Sequence, residues 1–154
     1  DWLRNRQTTP ADWYLDLKLL ADYYEGAHRY HHTAPISLFY ALREGLLCIH
    51  EEGLENRWAR HLHMRELTHN WADSRGFGVY ADRNFASPTV TTVDNRVKNI
   101  DVDAMAKFMS GKNFSMDKGY GKIKGATFRI AHMGDMQPST LEEVLSGLDE
   151  FIGA

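Results

Sequence analysis

The sequence predicts an α+β chain: a small sheet with helices packed on one face, preceded by further helices. Three observations carry this. Apolar residues recur at helical spacing through the first half of the chain. β-Branched runs begin only after Gly76, as in Pro88-Thr89-Val90-Thr91-Thr92-Val93. The C-terminal stretch then returns to helical periodicity, with Leu141, Val144, Leu145, Leu148, Phe151 and Ile152 on one apolar face. Partial segregation of strands from helices marks α+β rather than an alternating parallel sheet.

Taken in order, Thr8-Thr9-Pro10 signals a turn and a helix start. A helix is expected from Ala11 to Gly26, with Trp13, Leu17, Leu20 and Tyr24 in register. Residues 27–34 form an irregular, His-rich connection. A central helix follows from Pro35 to Gly53, with Pro35 in the first turn and Thr33 placed to cap it. Ile36, Phe39, Tyr40, Leu46 and Leu47 make one apolar stripe, and Leu38, Leu42 and Ile49 a second. A helix apolar on two sides is expected to be buried. A third helix opens at Glu55 or Asn56, carries Leu54, Trp58, Leu62 and Met64, Leu67, Trp71 on two rows, and closes at Arg75-Gly76.

Past Gly76, Phe77 to Tyr80 and Pro88 to Val93 read as strands. Asp101 caps a helix bearing Val102, Met105, Phe108 and Met109, stopped by Gly111. Asn113 to Met116 is a further strand, Lys118 to Gly125 a flexible basic loop, and Thr127 to Met133 another strand. Pro138-Ser139-Thr140-Leu141-Glu142 reads as a capping box for the last helix. No internal repeat or low-complexity tract interrupts this order.

Composition narrows the function classes. The chain has 154 residues, 43% of them hydrophobic and 25% charged, enough to bury a core. A net charge of −3 argues against broad attraction to nucleic acid or anionic membrane. A single cysteine, Cys48, forms no internal disulfide and favours a reducing, cytoplasmic setting. No stretch has transmembrane length, no secretory leader is visible, and the C-terminus lacks a Ser-Lys-Leu address. A chain that starts at Asp1 rather than methionine is expected to be a fragment, an excised domain or a processed product.

Two places attract chemistry. Tyr30-His31-His32-Thr33 stands before the positive end of the central helix, where anions and phosphate above all are favoured. An ordinary capped helix, with Tyr30 packing its ring, uses the same residues. In the strand Thr127 to Met133, Phe128, Ile130 and His132 share one face, so Arg129 falls on the open face with Thr127 and Ala131. A guanidinium there forks onto a carboxylate, or it is simply a solvated strand arginine. The eight histidines show no ligand spacing for a metal; His61 and His63, two apart, diverge on a helix. The glycines from Gly119 to Gly125 lack the spacing of a phosphate-cradling loop.

Tyr30-His31-His32-Thr33, the helix with Leu42-Arg43-Glu44, the upstream Tyr14-Leu15-Asp16-Leu17-Lys18 and the later Phe128-Arg129-Ile130 together resemble the C-terminal part of a class V aminotransferase. The nearest subgroup transfers amino groups from alanine or serine to glyoxylate or pyruvate. The resemblance implies the fold-type I scaffold and pyridoxal 5′-phosphate as cofactor. It assigns residues 1–52 to the end of the large cofactor domain, with the phosphate-contact loop and the start of a bridging helix, and 53–154 to the small domain. It implies that Tyr30 and Thr33 contact the cofactor phosphate of the neighbouring subunit, hence a homodimer. It implies that Arg129 holds the substrate carboxylate; the family's Leu-Arg-Ile-Gly stands here as Phe128-Arg129-Ile130-Ala131. The lysine that bonds the cofactor and the aspartate on its ring nitrogen lie upstream in the family, so no catalytic residue is assigned and the chain alone is expected to be inactive. The alternative is a non-catalytic interaction or dimerisation module of the same fold.

Overall fold

The structure is a computed structural model and describes residues 2–8 and 12–154. Among these residues the order is α1 (Leu17–Ala27), α2 (Ile36–Glu52), α3 (Leu54–Ser74), β1 (Gly78–Val79), β2 (Val90–Asp94), α4 (Val102–Gly111), β3 (Thr127–Ala131) and α5 (Pro138–Ile152). Short 3-10 turns occupy Arg83–Phe85 and Gly121–Ile123. The chain divides into two compact units, Asp1–Cys48 and Ile49–Ala154. Among the described residues no helix is long and apolar enough to cross a membrane.

In the first unit, the helix expected from Ala11 starts instead at Leu17. Two aspartates explain the delay. Asp12 accepts the Tyr14 N–H at 2.7 Å, and Asp16 accepts those of Lys18 and Leu19 at 2.9 and 3.1 Å. Such side chains offer the backbone a turn before they offer it a helix start. Thr9, Pro10 and Ala11, which hold most of the expected start signal, lie outside the described residues. The helix ends one residue past Gly26, with His28 in the left-handed region at φ 50°.

α2 departs from expectation twice. It starts at Ile36, and Pro35 takes the cap position, its carbonyl accepting the Leu38 and Phe39 N–H groups at 3.0 and 3.1 Å. Thr33 therefore stands two residues too early to cap, and its hydroxyl makes no hydrogen bond among the described residues. The helix is also not buried: Leu38 is 65% and Tyr40 70% exposed, and none of its residues is buried. Within Asp1–Cys48, α1 and the turns around it supply too little surface to cover two apolar stripes.

The second unit is built on an antiparallel sheet of order β1-β2-β3. Val93 pairs with Phe128 and Thr91 with Ile130, which puts these side chains on the face covered by helices. Met64 and Trp71 of α3, Met105 and Met109 of α4, and Leu141 and Leu148 of α5 close over that face. Trp71 stacks on Phe77 at 5.5 Å, and Phe77 meets Phe128 edge-on at 5.6 Å, a favoured arrangement of ring quadrupoles. The sheet with helices on one face is the expected α+β arrangement.

Asp101 caps α4 as read, accepting the Asp103 and Ala104 N–H groups at 3.0 and 2.9 Å. α3 closes at Arg75-Gly76 as read, but it opens at Leu54, after Gly53. The capping box before α5 does not form, because Pro138 takes the first helical position and carries Ser139 past the cap. Asn113 to Met116 is not a strand: the chain turns at Lys112-Asn113, where Asn113 has φ 67°, and only Asp117 pairs, as a lone bridge to Arg129. Thr127, expected on the open face, is buried beneath the Lys118–Gly125 loop and donates to the Ile123 carbonyl at 3.0 Å. That loop closes tightly at Gly119, where φ is 80° and a Cβ would lie 2.8 Å from the Thr127 carbonyl.

Asp149 of α5 accepts from Trp71 Nε1 at 2.7 Å and from Arg75 Nε and Nη2 at 2.8 Å each, joining α3 to α5. Asp149→Ala should lower unfolding free energy by about 1.5–3 kcal/mol in urea titration, the range for hydrogen bonds to a charged group. His132 is fully buried, its Nε2 2.9 Å from the Thr91 hydroxyl. Burial pushes its pKa down to about 4, against the backbone carbonyls of His132 and Pro88, which favour the charged ring. An unfolded histidine titrates near 6.5, so the unfolded chain binds more protons between pH 6.5 and 4 and stability falls as pH drops through that window. The His132 ring should stay neutral at pH 5.5 by NMR, and His132→Gln should flatten the acid limb of the stability curve.

Candidate functional site

An edge strand with one face buried must present its alternate side chains outward, and β3 does so with Arg129. Beside Arg129 lies a cleft of about 440 Å³, floored by Ile130 and Ala131 and walled by Phe114, Met116, Met133 and Met136. Arg129 and Asp117 are the charged groups of its lining, with Asn113 and Ser115 beside them; mostly apolar walls with a few placed polar groups are the usual make-up of a small-molecule site. The outward position of Arg129 is as the sequence predicts; its partner is not. Arg129 Nε and Nη2 fork onto Asp117 Oδ1 and Oδ2 at 2.8 and 2.5 Å. The Arg129 N–H also donates to the Asp117 carbonyl at 3.1 Å. Hydrogen bonding to Arg129, more than its charge at a distance, holds the Asp117 carboxyl below the usual carboxylate range, and Asp117 raises Arg129 in turn.

The rim of the cleft is pinned by ion pairs. Arg60 of α3 binds Glu52 through Nε at 2.6 Å and Nη2 at 2.9 Å. It also donates to the Gly134 carbonyl at 3.1 Å and to the Met136 carbonyl. Arg57 adds bonds to Glu52 at 2.7 Å and Asp135 at 3.2 Å. Hydrogen bonds from Arg60 and then Arg57 lower the Glu52 carboxyl to about 2. The end of α2, the start of α3 and the Gly134–Met136 turn are thereby one electrostatic unit. A second cavity, about 540 Å³, runs along Ile49, Leu54, Trp58 and Leu62. Of its polar residues, Arg57 is held by Glu52 and His61 Nδ1 lies 2.6 Å from the Arg57 carbonyl. It therefore offers apolar surface rather than chemistry.

Tyr30 and Thr33 lie in the other unit, in the stretch that leads into α2. Both are exposed, and neither hydroxyl makes a hydrogen bond among the described residues. The Tyr30 ring packs near Tyr24, His32 and Phe39 at 6.1–6.5 Å. His31 meets the Trp13 edge at 4.8 Å and His32 the Tyr14 ring at 4.7 Å. Both ring nitrogens of His31 and Nδ1 of His32 are shielded from solvent and make no hydrogen bond among the described residues. Among the described residues no group of three or more His, Cys, Asp or Glu is arranged to hold a metal ion.

Sequence reading missed Asp117 and Arg60. For Asp117, the expected strand stopped one residue short, so the carboxylate never came opposite Arg129. For Arg60, two backbone carbonyls beyond its helix are its targets, and nothing in a sequence marks them. Arg60→Met should leave Arg57 on Glu52 and Asp135 but loosen the Gly134–Met136 turn, whose Gly134 and Met136 carbonyls lose their donor. Its amides should then exchange with solvent about tenfold faster or more, the effect of losing hydrogen bonds to a charged group; unchanged exchange would remove the pinning role.

No family model matches the chain. It is 34% identical over 134 residues to the alanine–glyoxylate aminotransferase of Callithrix jacchus, covering 84% of this chain and 32% of that protein. It is 30% identical over 138 residues to the (S)-ureidoglycine–glyoxylate transaminase of Bacillus subtilis, covering 88% of this chain and 33% of the relative. The crystal structure of an alanine–glyoxylate aminotransferase from Nostoc sp. superposes with a TM-score of 0.85 at 33% identity, over 97% of this chain and 40% of the other. The chain spans about a third of the length of the curated relatives it matches.

Proposed function

The chain belongs to the class V aminotransferases, matching the C-terminal part of their fold-type I scaffold, and from that premise we propose that it supplies the carboxylate clamp and cofactor-phosphate contacts of an enzyme moving amino groups between alanine- or serine-type donors and glyoxylate or pyruvate. The observation that carries the proposal is Arg129: a guanidinium on the outward face of β3, at the wall of an apolar cleft, within the run Phe128-Arg129-Ile130. A permanently charged planar fork suits the α-carboxylate that every amino acid and oxo acid presents.

Pyridoxal phosphate, when bound, supplies the electron sink for amino transfer. Its phosphate fits the residues before α2. Tyr30 and Thr33 carry exposed hydroxyls that make no hydrogen bond among the described residues. Phosphate oxygens accept hydrogen bonds from such groups. In this proposal Tyr30 and Thr33 hold the phosphate of a neighbouring subunit, and the exposed apolar stripes of α2 suit the contact a homodimer requires. Residues 1–52 then belong to the large cofactor domain and 53–154 to the small one. None of the lysines here is assigned the bond to the cofactor, so this chain binds and orients rather than transfers. A cytoplasmic setting, favoured by the free thiol of Cys48, completes the proposal.

In the complete protein, Arg129→Lys keeps the charge and loses the bidentate geometry. Half-reaction efficiency with amino acids should fall roughly ten- to a hundredfold, as for about 1.5–3 kcal/mol of charge-assisted hydrogen bonding, while the cofactor stays bound. Tyr30→Phe with Thr33→Val should do the reverse: cofactor retention on dilution falls, and amino-acid efficiency in saturated enzyme is nearly kept. Half-reaction kinetics indifferent to Arg129→Lys for every amino acid would remove the carboxylate role.

A further inference from the structure

A guanidinium has two edges on which a carboxylate can fork, one made by Nε and Nη2 and one by Nη1 and Nη2. Asp117 holds the first edge of Arg129, at 2.8 and 2.5 Å. Its grip does not depend on the arginine alone. Asp117 Oδ1 accepts the Gly119 N–H at 2.9 Å, and its backbone carbonyl accepts the Arg129 N–H at 3.1 Å. The two residues are cross-strand neighbours with side chains on one face. The Nη1 side of Arg129 has no acceptor among the described residues. The rest of the lining adds no second cation: Phe114, Met116, Ala131 and Met133 are apolar, and Asn113 and Ser115 are polar but uncharged.

We propose that Asp117 is the specificity-determining residue of this cleft: it orients Arg129 and offsets its charge, so the site takes a singly charged carboxylate on the open edge and disfavours acids with a second negative charge. The proposal rests on Arg129 being the carboxylate fork argued above. A ligand carboxylate on the open edge gains two directed hydrogen bonds but stands a few ångströms from Asp117. A single charge meets a nearly neutral pair with an unfilled fork. A second charge on the same ligand meets the carboxylate of Asp117 with no cation to answer it, since like charges at such distances repel appreciably near a protein surface. The pair is half exposed, 43% for each side chain, so its electrostatics are partly screened and the effect is graded rather than absolute.

The test measures equilibrium binding of pyruvate and 2-oxoglutarate, by calorimetry, to the complete protein that carries this chain. Asp117→Asn keeps an oxygen for the Gly119 N–H and the Arg129 Nε while removing the charge. It should tighten pyruvate about two- to fivefold, the range set by an exposed ion pair, and 2-oxoglutarate by a larger factor, about tenfold. Asp117→Ser, a second neutral variant that retains an acceptor for Gly119, should shift the preference in the same direction. Equal tightening of both acids, or no tightening of either, overturns the role of Asp117. If Arg129→Lys still weakens both acids in that case, the carboxylate fork stands without it. If Arg129→Lys changes neither, the fork itself is wrong and this inference falls with it.

Discussion

The alternation of β3 is the constraint on which the rest of the second unit depends. Phe128 and Ile130 must be buried, because Met64, Met105, Leu141 and Leu148 leave no other place for them. A strand's side chains alternate, so burying those two forces Arg129 outward. A register slip of one residue would drive the guanidinium into the core and expose two large apolar side chains, and a charge buried without a partner is among the costliest errors a fold can make. The hydrophobic effect thus positions a polar group it never touches. The aromatic contacts of Phe77 with Trp71 and Phe128 tie that register to α3.

What the sequence makes legible follows from how local each signal is. α4 is readable at its start, where Asp101 lies beside an apolar period of 3.6; its end falls one residue later than read, with Gly111 still helical, Lys112 as cap and Asn113 in the left-handed region. α5 is readable along its face, since Leu141, Val144, Leu145 and Leu148 all reach the core. Its start is not, because proline and serine compete for adjacent positions and proline's fixed φ decides. α1 is misjudged at its start for a related reason: Asp12 and Asp16 capture backbone donors in turns across residues whose apolar spacing also suits a helix. Burial of α2 is a different kind of error. Periodicity states what a helix could bury, and only the surrounding surface decides what it does bury.

The site was half legible. Arg129 emerges from a pattern of two alternate apolar residues, and the family resemblance carries the same position. Asp117 does not emerge, because its pairing depends on the turn at Asn113 and on the closure of the loop at Gly119. Neither event has a periodic signature. Tyr30 and Thr33 were placed by resemblance, and the wrong capping role for Thr33 shows the limit of a local rule. Once Pro35 takes the cap position, the Thr33 hydroxyl makes no capping bond among the described residues and stays exposed.

The arginines of the second unit differ in what the fold would lose with them. Arg60 is 12% exposed and ties two backbone carbonyls as well as Glu52. Arg75 shares Asp149 with the Trp71 indole, so breaking that pair would also strand a ring N–H. Arg129 and Asp117 are each 43% exposed, and their backbones remain paired whatever the side chains do. Water can solvate both if they part, and exposed pairs of this kind contribute on the order of 1 kcal/mol or less. A binding group must exchange partners without unravelling its support. Among these three arginines, that condition is met only by the one on the open face of β3, where the sheet holds the position and the side chains hold the charge.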